Sequence, residues 1–340
     1  MKATKLILPG AVLALGAIAA WFIHSSMSGD REPRKIAVGH LIALDMAPLF
    51  VAKEAGYFAE EGLEVELKFF VDIFANNAAL ADGTIDFSIN PFTIPYVALG
   101  EDVPIRTISS AGGWGVMQVV AQGDYGIHSI KDLAKYVRLH PDEKIKVGSF
   151  RADTLDLILL EAFQAEGLTY DDFEMVWYTD LLEMVEAFKR RDVGILSHIK
   201  PYTTDLILHH GATFLTDNAE VWNVHTPNCV LSVLEGLLLE EPEVVRSYLR
   251  AMLKSANLLN RNPEEAIALL ERSAYPHYFQ VGSEVVVEAI RSQPAPISYT
   301  PNITAVNSVM FAMVEQGHIA NYTPGRKLFR LEMIKELESK

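Results

Sequence analysis

The chain has 340 residues, half of them hydrophobic, and a formal net charge of −15. That length supports two lobes, each with its own core, and so acidic a surface repels phosphate backbones, which excludes a nucleic-acid binder. Its one cysteine, Cys229, excludes an internal disulfide; no Cys/His spacing of a zinc site is present, and within the apolar run 229–233 it reads as a small core residue.

In chain order, Lys2 and Lys5 precede an uncharged, mostly apolar stretch from Leu6 to Ile23, followed by a polar segment. This is the pattern of a secretory signal, with Ala17-Ile18-Ala19 as a small-x-small cleavage site. The stretch continues through Trp21, Phe22 and Ile23 towards membrane-spanning length, so an uncleaved anchor is the alternative. Residues 1–24 are therefore expected to be a signal peptide or N-terminal anchor, and 25–34 a linker. Either way the lysines hold their end in the cytoplasm and the remainder is exported.

Short apolar runs and amphipathic segments then alternate. Strands are predicted at 35–39, 63–67, 85–89 and 105–109, and helices at 47–61, 73–81 and 93–99. Residues 116–121 read as a strand that crosses between lobes. Helices at 129–137, 153–166, 181–190 and 201–210 alternate with strands at 146–148, 173–177, 194–197 and 214–216. A strand at 229–233 precedes helices at 241–260, 263–273, 283–291 and 304–317. The βαβα rhythm predicts an α/β fold with open sheets. The repeat of that rhythm places lobe 1 over 35–120 and 223–325 and lobe 2 over 121–222, with 326–340 a C-terminal tail or helix. Ligand sites in such sheets lie beyond the carboxyl ends of the strands, so a cleft between two lobes is the expected site.

Several stretches carry a family resemblance. Ala52 to Val65 follows the pattern A-x-x-x-G-x-F-x-x-x-G-L-x-V, and 83–87 reads Gly-Thr-Ile-Asp-Phe. Residues 127–133 read Ile-His-Ser-Ile-Lys-Asp-Leu, 200–202 read Lys-Pro-Tyr, and 227–231 read Pro-Asn-Cys-Val-Leu. In this order they resemble the nitrate/sulfonate/taurine-type substrate-binding proteins of ABC importers, a family that includes binders of thiamin-pyrimidine precursors. The resemblance spans about 36–325. It implies a type II periplasmic-binding-protein clamshell, a small-molecule ligand, an ABC permease with its ATPase as partners, a periplasmic location and a monomer.

The same resemblance directs attention to the loops. After the first strand, His40 is either a ligand donor or structural, and Asp45 is either a ligand contact or a helix cap. Phe70 and Phe74 read as cleft walls or core, and Asn76 as a ligand partner or a first-turn residue. Asn90 and Thr93 fall in the loop after the third strand, where Asn90 offers both donor and acceptor. Trp114, within Gly112-Gly113-Trp114-Gly115, either stacks on ligand or covers the hinge. In lobe 2, Arg151 and Thr154 stand at a helix N-terminus, which favours anions, and Tyr178 follows a strand. His198 and Lys200 complete the set. Lys200 stands where the family commonly has an acid, and a lysine there favours an anionic or carbonyl-bearing ligand over a neutral heterocycle.

No Gly-x-Ser-x-Gly elbow and no His-Glu-x-x-His is present, and the cysteine-rich motif of related pyrimidine-synthesis enzymes is missing. A transport receptor without catalytic residues, cofactor or metal is expected. An anchored sensor module and an enzyme on the same scaffold are the other readings.

Overall fold

The computed structural model describes residues 32–96, 103–151 and 153–340. The expected export segment at 1–24, most of the linker at 25–34 and part of the expected helix at 93–99 lie outside the described residues.

Two five-stranded mixed sheets form the frame. The first takes β1 (Arg34–His40), β2 (Leu63–Phe69), β3 (Phe87–Pro91), β4 (Ile105–Ser110) and β10 (Cys229–Leu234), in the order β2-β1-β3-β10-β4. The second takes β5 (Met117–Gln122), β6 (Lys146–Phe150), β7 (Glu174–Tyr178), β8 (Ile195–Ile199) and β9 (Ala212–Asp217), in the order β7-β6-β8-β5-β9. Within each sheet the βαβ pairs are parallel: β1 with β3, and β6 with both β7 and β8. The strands that follow or precede a crossing run antiparallel to their neighbours: β5 against β8 and β9, β10 against β3 and β4. The two-lobed α/β architecture predicted from the rhythm is thus the one observed, and the chain crosses between sheets twice, at 111–116 and 218–228.

Local chemistry accounts for these elements. In β2, Leu63 and Val65 are buried while Glu64 and Glu66 face solvent, the alternation of a sheet wetted on one face. β5 and β10 are buried nearly throughout, as central strands covered on both faces. Asp72, Ser129, Asp180, Asp217 and Asn302 each cap a following helix by accepting from its free N–H groups. The 20-residue helix Pro242–Arg261 buries Val245, Tyr248, Leu249, Met252, Ala256 and Leu259 on one face, against the helix Ala47–Glu54. Tyr248 stacks on Phe87 of β3 at 4.2 Å. At roughly 1.5–3 kcal/mol per large apolar side chain, this stripe is a main tie between the C-terminal helices and the first sheet.

Three expectations need correction. The helix predicted at 47–61 is two, Ala47–Glu54 and Tyr57–Glu60, because Gly56 takes the left-handed conformation (φ 75°) and ends the first. Residues 117–120, expected in lobe 1, belong to β5 and hydrogen-bond into the second sheet. The stretch 326–340, expected as a tail or helix, does hold the helix Glu332–Glu338, but it docks on the first sheet, so lobe 1 extends past 325: Phe329 bridges to Thr107, and Arg330 N–H donates to the Thr107 carbonyl at 2.8 Å. Among the described residues no helix is long and apolar enough to cross a membrane.

Candidate functional site

A cavity of about 210 Å³ opens between the lobes, at the carboxyl ends of the strands. The first lobe contributes Leu41, Ile42 and Ala43 after β1, Phe69 to Val71 and Ile73 after β2, and Pro91 at the end of β3. It also contributes Asn228 and Cys229 at the start of β10, with His277 and Gln280 from the helical C-terminal region. The second lobe contributes Phe150 and Asp153 to Leu155 after β6, Asp180 to Leu182 after β7, and Ile199 at the end of β8. The walls are therefore mainly apolar.

A hydrogen-bonded chain of polar side chains crosses from lobe to lobe. Asn228 Nδ2 donates to Asp45 Oδ2 at 2.7 Å, and Cys229 N–H donates to Asp45 Oδ1 at 3.3 Å. The Thr154 hydroxyl lies 3.2 Å from Asp153 Oδ1 and 3.5 Å from Asn228 Oδ1, so its one proton serves either lobe. Burial pushes both carboxyls up to about 6, for Asp45 against the lowering effect of the Asn228 bond. Burial and the nearby acids also push the Cys229 thiol well up, which keeps it protonated and unreactive. Asp180 caps the helix Leu181–Lys189, accepting from Leu182 N–H at 2.8 Å and Glu183 N–H at 3.2 Å. Both helices that open onto the cavity from lobe 2 thus carry an aspartate at the N-cap position. Among the described residues no lysine or arginine lines the cavity, and no group of three or more His, Cys, Asp or Glu is placed to hold a metal.

Of the residues singled out from sequence, Phe70 and Thr154 line the cavity. The others stand elsewhere. His40, the last residue of β1, is buried; its Nδ1 is 2.7 Å from the Leu41 carbonyl and its Nε2 2.7 Å from the Tyr275 hydroxyl. A carbonyl only accepts, so Nδ1 carries the proton and Nε2 accepts from Tyr275; burial lowers the imidazole to about 4. Asp45 is fully buried one layer behind Asn228 and caps no helix with its side chain. Phe74 projects outward, 58% exposed. Asn76 ties its helix to β3, donating to the Ile89 carbonyl at 2.9 Å and accepting from Ser88 at 3.1 Å.

Asn90 donates to the Ile73 carbonyl at 2.9 Å, and its Oδ1, like Thr93 Oγ1, is buried without a hydrogen-bond partner. Trp114 is sealed in the first crossing, with Nε1 donating to the Pro296 carbonyl at 3.0 Å. Arg151 is exposed, its guanidinium 5.6 Å from the centre of the Trp177 ring. Tyr178 is half-buried in β7, beside Phe150 of β6. His198 is buried against the Leu181 carbonyl at 2.8 Å, and burial lowers it to about 4. Lys200 is buried between lobes: Nζ donates to the Ser292 carbonyl at 2.9 Å and to Ser292 Oγ at 3.1 Å, while its own carbonyl accepts from Leu44 N–H at 2.9 Å. Burial lowers its ammonium to about 8.

Sequence reasoning passed over Asn228, Asp180, His277 and Gln280. Asp180 follows β7 and was open to the rule that sites sit past strand ends. Asn228 was visible only as the residue before β10. His277 and Gln280 come from a loop between helices, where no periodicity marks a site; His277 reaches the cavity stacked on Phe69 at 4.4 Å.

Residues 43–266 match the family described as NMT1/THI5 like. The chain is 25% identical over 267 residues to the nitrate import ATP-binding protein NrtC of Synechococcus elongatus, covering 76% of this chain and 40% of that protein, so it spans well under half of that relative's length. It is 24% identical over 243 residues to the formylaminopyrimidine-binding protein of Halalkalibacterium halodurans, covering 71% of each. Its fold matches the crystal structure of the periplasmic nitrate-binding protein NrtA from Synechocystis with a TM-score of 0.75 at 16% identity, covering 91% of this chain and 89% of that one.

Proposed function

The chain belongs to the NMT1/THI5-like family, and from that premise we propose that it is an extracytoplasmic solute-binding receptor that captures a small molecule between its lobes and passes it to an ABC permease and its ATPase. The observation that carries this reading is the cavity itself: it is lined from both lobes, at the carboxyl ends of both sheets, and among the described residues two chain crossings join them. Such an arrangement closes on a ligand by hinge motion and opens to release it. The relatives' names support it, since one binds nitrate and another formylaminopyrimidine by name. The apolar stretch from Leu6 to Ile23 supports export. The reading is of binding without chemistry, in a monomer.

The test is ligand-linked stability. A ligand at 100 times its Kd stabilises a folded receptor by about 2.7 kcal/mol, a rise of several degrees in Tm. A panel of nitrate, alkanesulfonates, carboxylates, pyrimidines and other heterocycles is screened by calorimetry and recovered unchanged afterwards by mass spectrometry. At least one compound is expected to raise Tm and return intact. Conversion of a panel member to product, or a complete absence of stabilisation, sinks the receptor reading.

A further inference from the structure

The expectation of an anionic ligand rested on Arg151 and Lys200, and neither side chain reaches the cavity. Arg151 lies over Trp177 at the surface, and Lys200 Nζ is turned into the interlobe seam on Ser292. The ionisable groups that do line the cavity are Asp153, Asp180, His277 and the Cys229 thiol, which burial keeps protonated. A helix N-terminus attracts an anion through its free N–H groups. Here Asp180 already occupies the one that opens the helix Leu181–Lys189, and Asp153 stands at the one that opens the helix Thr154–Ala165. A small anion entering this space would meet two carboxyls, no lysine or arginine, and His277 as the one lining side chain able to carry a positive charge. Asn228 and Thr154 do not reverse that field: Asn228 Nδ2 is engaged by Asp45 Oδ2 at 2.7 Å and Cys229 Sγ at 3.5 Å, and Thr154 offers a single hydroxyl proton. The rest of the lining, Phe69, Phe70, Ile73, Phe150, Leu181 and Ile199, suits an apolar body.

Resting on the receptor reading above, we propose that the cavity takes a compound with an apolar, ring-sized body bearing an N–H-donating nitrogen group, with the Asp153 carboxyl as its acceptor, and that it discriminates against small anions. The Phe70 and Phe150 side chains enclose the apolar body from opposite lobes, so the same ligand that satisfies Asp153 also draws the lobes together. Discrimination comes from the carboxyls left facing an anion, the repulsive half of specificity.

Three compounds of one shape separate the alternatives: benzamidine (a cationic donor), benzamide (a neutral donor) and benzoate (an anion), with sodium nitrate as a fourth arm. The full chain is titrated with each by calorimetry at about neutral pH. Binding of benzamidine, of benzamide or of both, at least about tenfold tighter than benzoate and nitrate, is the expected result. The Asp153→Asn variant should lose that preference. The Phe70→Ala variant keeps the acid; it should weaken the favoured compounds about tenfold while preserving their order. Benzoate or nitrate binding as tightly as the donors overturns the inference and leaves the receptor reading standing. So does retention of the donor preference in a folded Asp153→Asn protein. Binding of none of the four also counts against the inference, and the broad panel then decides the receptor reading separately.

Discussion

Asp153 is buried at the N-cap position of the helix Thr154–Ala165, and its carboxyl stands near 6 instead of 3.8 because burial penalises its charge. A folded pKa above the unfolded one means that the native state holds the proton more tightly. The stability this confers is fully present below about pH 4 and is lost as pH rises through about 6. Its size is roughly 3 kcal/mol, and Asp45 acts in the same direction. His40 and His198 act oppositely: both are buried neutral and lowered from 6.5 to about 4, so stability is gained as pH rises across that same window. The two pairs offset, and the ligand-free protein should show a shallow pH dependence. Removing one member exposes the balance. Asp153→Asn is expected to gain stability relative to the parent progressively from about pH 4 to about pH 7; a difference in Tm that stays constant with pH rules the assignment out. The same burial explains why most site candidates in the sequence led elsewhere. His40, Asn90 and His198 are polar residues at strand ends and Asn76 lies in the helix after β2, where a ligand is expected, yet each turns back to satisfy a main-chain carbonyl. Sequence shows the residue type and the loop but not which way the side chain faces.

At the scale of elements, the reading from sequence succeeded wherever one physical signal was enough. Alternation found β2, and apolar runs found β5 and β10. It failed where a single backbone conformation decides, as at Gly56, and where pairing partners decide, as for the lobe that owns β5. The seam between the elements is less visible still. Lys200 at the end of β8 reaches Ser292, just past the helix Ser283–Arg291, and Gly115 in the adjacent crossing has φ 59°. A Cβ on Gly115 would lie 2.8 Å from Pro294 and 2.9 Å from Asp217, so the crossing is packed as well as bent. Lys200→Met keeps the length of the side chain and removes both bonds to Ser292. It should speed amide exchange in 111–116 and 218–228 while leaving the paired core of β6 and β7 protected. Unchanged exchange in the crossings would show that Lys200 does not hold the seam.

For the whole molecule, the two lobes differ in how their strands are drawn from the chain. The second sheet uses β5 to β9, an unbroken run from Met117 to Asp217. The first sheet needs β10, which lies between β3 and β4 and, among the described residues, is the strand that joins β4 to the rest. Phe87–Pro91 has β1 on its other side, but Ile105–Ser110 must wait for Cys229–Leu234, which emerge only after the entire second lobe. A chain ended at residue 225 is expected to protect the second lobe's amides from exchange and to leave Ile105–Ser110 unprotected; protection of both stretches would mean that β4 finds another partner. The position of β10 thus sets an order of assembly. The lobe that begins first is completed last, its half-built sheet offers unpaired edges in the meantime, and any factor that keeps the young chain from sticking has to act on that sheet.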